Sequence, residues 1–110
     1  MIPHSQVQDI RNHLAAQFNL PLEQIDSMMP SFIATLGKHM ANLEQALQSE
    51  DAKAIGKVGH TIKGAFLNLG MSDCARIALT IEEKGRNGGG SMAEFRRLVD
   101  ELRGSLSQLL

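Results

Sequence analysis

The sequence predicts an all-α protein: an up-down-up-down antiparallel four-helix bundle with an additional short N-terminal helix. Three observations carry that prediction. Large apolar residues recur at three- and four-residue spacing along nearly the whole chain, the pattern of a helix with one buried stripe. Residues that start or stop helices separate these stripes: Asn19 and Pro21, Ser49 and Asp51, Gly70 and Ser72, then Gly88, Gly89 and Gly90 before Ser91. No run shows the two-residue alternation of a strand.

The N-terminal helix is expected over residues 5–18, with Ser5 as N-cap, Val7, Ile10, Leu14 and Phe18 as its stripe, and His13 off that stripe. Pro21 suits the first turn of the next helix, whose stripe runs Leu22, Ile25, Met29, Phe32, Leu36, Met40, Leu43 and Leu47. The phase continues past Pro30, which leaves one kinked helix or two abutting ones, with a kink or break near Pro30 favoured. The methionines of this stripe read as core filling and His39 as a boundary residue. Ser49, Glu50 and Asp51 then supply a turn and an N-cap, and Gly70 a C-terminal cap, for a helix that carries Ile55, Val58, Ile62, Phe66 and Leu69 on one sector with Ala65 at its edge. The next helix, 73–85, turns Cys74, Ile77, Ala78 and Ile81 inward and sets Glu82 and Arg86 one turn apart. The triple glycine has neither a following GK[ST] nor a preceding strand, so it reads as a flexible connector and not as a phosphate loop. The last helix, 91–110, repeats Met92, Phe95, Val99, Leu102, Leu106 and Leu109, with Leu98 widening the stripe. Residues 1–20 as the N-terminal helix and 21–110 as the bundle make one domain spanning 1–110, within the size that buries its own core.

Composition excludes several classes of function. The net charge is −1 and Trp and Tyr are absent, so there is neither a basic field nor a set of stacking platforms for nucleic acid. No apolar run is long enough to span a membrane and no leader pattern opens the chain, which points to the cytoplasm. Cys74 is the single cysteine, and His4, His13, His39 and His60 lack zinc-ligand spacing, so no metal or other cofactor is expected.

One residue breaks the pattern of a plain bundle. With about 100° per residue, His60 falls almost opposite the apolar sector of its own helix, where it meets solvent. Gly56 and Gly64 stand one turn before and after it, although each glycine costs a helix about 1 kcal/mol relative to alanine. Their effect is to remove side-chain cover from both flanks of the imidazole, so that a bulky partner can approach. Lys53, Lys57 and Lys63 share that broad face, and no acid follows Asp51 within this helix. Imidazole is largely neutral and nucleophilic near neutral pH, so it can accept a phosphoryl group, and Lys63, three residues on, is placed to neutralise charge on the phosphoryl oxygens. No second nucleophile and no metal cluster lies within helical reach of His60, so the site is half of a two-protein centre. Acidic partners would be steered to the lysine-rich face, and Leu67 offers apolar contact area.

The run His60-Thr61-Ile62-Lys63-Gly64, followed by Leu69-Gly70, Ile81-Glu82 and Gly85-Arg86-Asn87-Gly88, resembles the histidine-containing phosphotransfer domain family. Phe32 and the segment Leu43-Glu44-Gln45-Ala46-Leu47 are similar as well, so the resemblance covers roughly 28–110, while residues 1–19 match no part of the motif. It implies a phosphorelay intermediate whose histidine takes a phosphoryl group from a receiver-domain aspartate and passes it to another receiver, without a kinase activity of its own. The partners implied are response-regulator receiver domains and a hybrid sensor histidine kinase, with the chain working as a monomer. His60 matches the phosphoacceptor, Lys63 the lysine beside the phosphoryl group and Gly64 the small residue that lets a receiver approach. Glu82 and Arg86 match positions where the neighbouring helix presents polar side chains to the site. Gly59 departs from the alanine usual before the histidine and loosens the helix slightly. Two other readings compete. In the phosphoacceptor domain of a sensor kinase an acid follows the histidine and a proline comes soon after, where this chain has Thr61 and Lys63-Gly64. A purely structural bundle leaves the glycines around His60 without a purpose.

Overall fold

A computed structural model describes residues 6–110 of the chain. Five helices follow one another: α1 (Gln6–Phe18), α2 (Leu22–Ser49), α3 (Ala52–Asn68), α4 (Ser72–Asn87) and α5 (Met92–Ser105). No strand occurs among the described residues. α2 packs on α3, α3 on α4, α4 on α5 and α5 back on α2, which closes a four-helix bundle. Connectors limited to residues 50–51, 69–71 and 88–91 force successive helices to reverse direction. The core they enclose contains Ile25, Leu36, Leu43, Ile55, Ile62, Phe66, Ile81, Phe95, Leu102 and Leu106, all essentially inaccessible to solvent.

α1 packs on α2 and buries Ile10 and Leu14. Arg11 pairs with Asp26 of α2 at 2.5 Å, and the Gln6 amide donates to the carbonyl of Ser105. Val7 and Phe18, expected on the buried stripe, are exposed, as is Leu22 at the start of α2. Val7 and Phe18 sit towards the two ends of α1, so the short helix reaches the core only through its middle turns. Ser5, expected as the N-cap, lies outside the described residues.

Of the kink or break favoured near Pro30, the break does not occur: α2 runs as one helix from Leu22 to Ser49, with Pro30 inside it. Ile25 and Met29 on one side of Pro30 and Leu36, Met40 and Leu43 on the other are buried in the same core, and that packing holds the helical phase despite the missing donor. Pro21 stands just before the first helical residue and not within the first turn.

Local chemistry sets the ends of the helices that carry the site. The Asp51 carboxylate accepts from the backbone N–H groups of Lys53 and Ala54 at 3.0 and 3.4 Å, a cap contributing about 1 kcal/mol. At the other end of α3, Gly70 takes the left-handed conformation (φ 74°). It allows the Met71 N–H to reach the Phe66 carbonyl at 2.9 Å and its own N–H to reach the Leu67 carbonyl at 3.1 Å, the paired bonds of a Schellman motif. α4 continues past Gly85 to Asn87 and ends at Gly88 (φ 66°). α5 opens on a Ser91–Glu94 capping box and ends at Ser105, short of the expected residue 110. Leu106 is still buried beyond that end, because the chain keeps turning over the core.

Candidate functional site

α3 and α4 approach more closely than ordinary side chains allow. A Cβ placed on Gly85 would lie 2.5 Å from the Cα of Gly56 and 2.6 Å from the carbonyl oxygen of Ala52. One placed on Gly59 would lie 3.0 Å from Cγ2 of Ile81 and 3.1 Å from the backbone nitrogen of Glu82. Gly56 and Gly59, three residues apart and both buried, thus form a flat strip on α3 against which α4 is pressed.

This corrects the expected role of Gly56. It borders the cleft beside the imidazole, but it is buried against Gly85, and its missing side chain is required by the helix contact. Gly59 likewise has a packing reason, so it is not a mere loosening of the helix. Gly64 differs from both, because a Cβ there would meet nothing within 4 Å. The Gly64 flank of His60 is open.

Close approach of the helices brings Glu82 under His60. Glu82 is 3% exposed, although its neighbours in the cluster reach solvent. Its Oε1 lies 2.7 Å from Nδ1 of His60 and accepts from Nζ of Lys63 at 2.9 Å. Its Oε2 accepts from Lys63 at 3.1 Å and from Nη2 of Arg86 at 3.2 Å. A buried carboxylate is tolerated only when it is paired in this way. The bond from Lys63, and then that from His60, hold the Glu82 carboxyl below the usual carboxylate range and outweigh the burial that would raise it. Because the folded-state carboxyl is depressed, its contribution to stability is present above the usual carboxylate range and is lost as pH falls through its folded-state value.

An ionised carboxylate has no proton to give, so in the 2.7 Å contact Nδ1 of His60 carries the hydrogen. In the neutral ring the lone pair is then on Nε2. The His60 side chain is 69% exposed, so that lone pair is open to an incoming group. Chemically this arrangement can act as a nucleophile with a set tautomer, held by a buried acid that also binds two cations.

Beside the ring lies a cleft of about 540 Å³ lined by Lys53, Gly56, Lys57, His60, Thr61, Glu82 and Arg86. The cleft therefore carries cations from both helices, Lys53 and Lys57 from α3 and Arg86 from α4. Of the residues singled out in the sequence, His60, Lys63, Glu82 and Arg86 meet in one hydrogen-bonded cluster, and Lys53 and Lys57 border the cleft. Leu67 takes part in neither; it is 55% exposed, one turn beyond Gly64. Thr61 was not anticipated. It lines the cleft while its hydroxyl donates to the Lys57 carbonyl at 3.3 Å. Gly85 was also missed, although its spacing of seven from Ala78 places it on the buried face of α4.

The family model for the Hpt domain matches residues 27–110. The chain belongs to the Hpt domain family. Comparison with curated proteins and with solved structures gives no match. Hpt domains serve histidine phosphotransfer in phosphorelay signalling, as phosphocarriers and not kinases, and interact there with receiver domains and kinases. The match begins within α2 and takes in α3, α4 and α5, including the whole His60 cluster, while α1 lies outside it. Among the described residues no group of three or more metal-ligating side chains occurs, and no helix is long and apolar enough to cross a membrane.

Proposed function

We propose that this Hpt domain is a phosphorelay intermediate in which His60 accepts a phosphoryl group from the aspartate of one receiver domain and passes it to another. The observation that carries this reading is the 2.7 Å contact between Nδ1 of His60 and buried Glu82, which leaves Nε2 as the outward nucleophile. Lys63 sits three residues along the same face, and its ammonium is already beside the ring through their shared carboxylate oxygen. It neutralises the phosphoryl oxygens as charge moves onto the ring. Arg86, Lys53 and Lys57 draw the acidic rim of a receiver to the cleft. Gly64 provides clearance and Leu67 apolar contact, while Gly56 acts indirectly by letting α4 approach. The receiver supplies the second nucleophile and the metal. The chain, residues 1–110, acts as one cytoplasmic monomeric domain between a hybrid sensor histidine kinase and its response regulators.

The test is a two-step transfer. A receiver domain carrying radiolabelled phosphate is mixed with the protein, the labelled protein is isolated, and a second, unlabelled receiver is added. The label is expected to move onto the protein in an acid-labile form and then onto the second receiver. Label that never leaves the first receiver except as inorganic phosphate would remove the proposal.

Gly64→Gln probes the approach path. The site has open space for the new side chain, and glutamine favours a helix over glycine by several tenths of a kcal/mol, so the bundle is expected to remain folded. Transfer from a receiver is expected to slow by about 100-fold, since even about 1 Å of misplacement in a reacting pair can cost that much. Equal rates in stopped-flow or rapid-quench measurements would show that a receiver does not approach across Gly64.

A further inference from the structure

We infer, building on that phosphotransfer reading, that Glu82 keeps the proton on Nδ1 of His60 throughout the relay cycle, so that both transfers proceed without any proton entering or leaving the ring.

The charges around the carboxylate argue for this. Glu82 accepts from His60, Lys63 and Arg86 through two buried oxygens. With a neutral imidazole, one carboxylate and two cations leave the cluster one positive charge in excess. A phosphoryl group on Nε2 adds about two negative charges. If Nδ1 keeps its hydrogen, the ring becomes a cation and the cluster sums to about zero. If Nδ1 loses it, a net negative charge is left, and a buried carboxylate is set against a lone pair at 2.7 Å with no hydrogen between them. That second arrangement is the costly one.

The steps balance. The lone pair of Nε2 forms the N–P bond while the O–P bond of the receiver's acyl phosphate breaks, and its electron pair stays with the departing aspartate carboxylate. No proton moves. The product is a phosphorylated imidazolium whose Nδ1–H still donates to Glu82. In the second transfer a carboxylate oxygen of the next receiver attacks phosphorus, the N–P bond breaks and its electron pair returns to Nε2. Neutral imidazole leaves, not imidazolate, so no acid has to protonate the ring first. The other charged groups near the ring are Lys53, Lys57 and Lys63 on α3 and Arg86 on α4. From α2, His39 borders the next groove with Lys57 and Thr61. Among these, Glu82 alone accepts a hydrogen from Nδ1, so it is the positioning residue for the proton.

Two measurements test this on the full chain. First, the ¹⁵N-labelled protein is phosphorylated with phosphoramidate, a small-molecule donor that needs no receiver, and the His60 ring nitrogens are read by NMR at pH 8. The expected result is a protonated Nδ1 in the phosphorylated ring; a bare Nδ1 overturns the inference. Second, transfer out to a receiver is compared at pH 6.5 and 8.5 for the wild type and Glu82→Gln, which keeps an acceptor oxygen but removes the charge. The wild-type rate is expected to change less than the variant's, with Glu82→Gln losing on the order of tenfold more at the higher pH, the span of one pH unit in proton affinity. Identical pH profiles overturn the inference. Should no receiver exchange phosphate with the chain, the relay reading falls while the NMR result still decides the protonation of the ring.

Discussion

His60→Gln is expected to abolish phosphoryl uptake while leaving the bundle intact. The substitution removes the nitrogen nucleophile and puts in its place an amide that cannot form the N–P bond, so no slower version of the same reaction remains. The fold should hardly respond. His60 is largely exposed on the outer wall of α3, and the core beneath it is built from Ile55, Ile62 and Phe66. Its one contact of consequence is with Glu82, which keeps Lys63 and Arg86 as partners in the variant. A change in stability within about 1 kcal/mol follows, as for surface substitutions that leave a network largely paired. Circular dichroism and thermal melting check the fold, and radiolabel uptake from a phosphorylated receiver checks the chemistry. Label that persists on the variant would place the acceptor elsewhere.

Gly85→Ala is expected to destabilise the protein strongly. Helix propensity alone says the opposite, since alanine is favoured over glycine by about 1 kcal/mol in a helix interior. Here the methyl would lie 2.5 Å from the Cα of Gly56 and 2.8 Å from its nitrogen, and backbone atoms cannot rotate aside as a side-chain tip can. α3 and α4 must separate. Overpacking of this kind costs about 3 kcal/mol, which exceeds the propensity gain and lowers Tm by on the order of 10 °C. Separation also lengthens the path from Glu82 to His60, so the shared hydrogen bonds weaken and phosphotransfer falls along with stability. Gly64→Ala is the matched control, because its methyl meets open space and the propensity term acts alone. That variant should melt at or above the wild-type temperature. A Gly85→Ala protein as stable as the wild type would show that the helix contact tolerates side chains.

The contrast between these glycines marks what the sequence can and cannot convey. Periodicity reports which face of a helix is buried, because the spacing of Ile55, Ile62 and Phe66 or of Phe95, Val99 and Leu102 repeats within one element. It therefore located the stripes, the outward direction of His60 and the caps at Asp51 and Gly70, each of which depends on residues a few positions apart. It does not report which residue of another helix lies opposite. Gly56 and Gly64 are symmetric about His60 in the sequence, yet one is packed against Gly85 and the other is bare, and only the packing of α4 distinguishes them. The helix expected over 73–85 runs on to Asn87, and Gly85 lies inside it against Gly56.

Glu82 shows the same limit at the site itself. A glutamate one position after Ile81 and three before Gly85 lies on the buried side of α4, but burial of a charge makes sense only once its three partners are known. Two of them, His60 and Lys63, belong to a different helix. At Pro30 local chemistry was overruled by packing on both sides, so the helix continued where the residue alone suggested a break. The exposed ends of α1 went the other way: Val7 and Phe18 keep the stripe's spacing but run past the part of the bundle that could cover them.

In the proposed relay Nε2 of His60 is the atom that carries the phosphoryl group. Exposing the ¹⁵N-labelled protein to a phosphorylated receiver domain shows which ring nitrogen is bonded to phosphorus, by ¹⁵N–³¹P coupling at neutral pH. A coupled Nε2 on His60 with Nδ1 uncoupled is the predicted result; phosphorus on Nδ1, on His13 or His39, or on no histidine would contradict it.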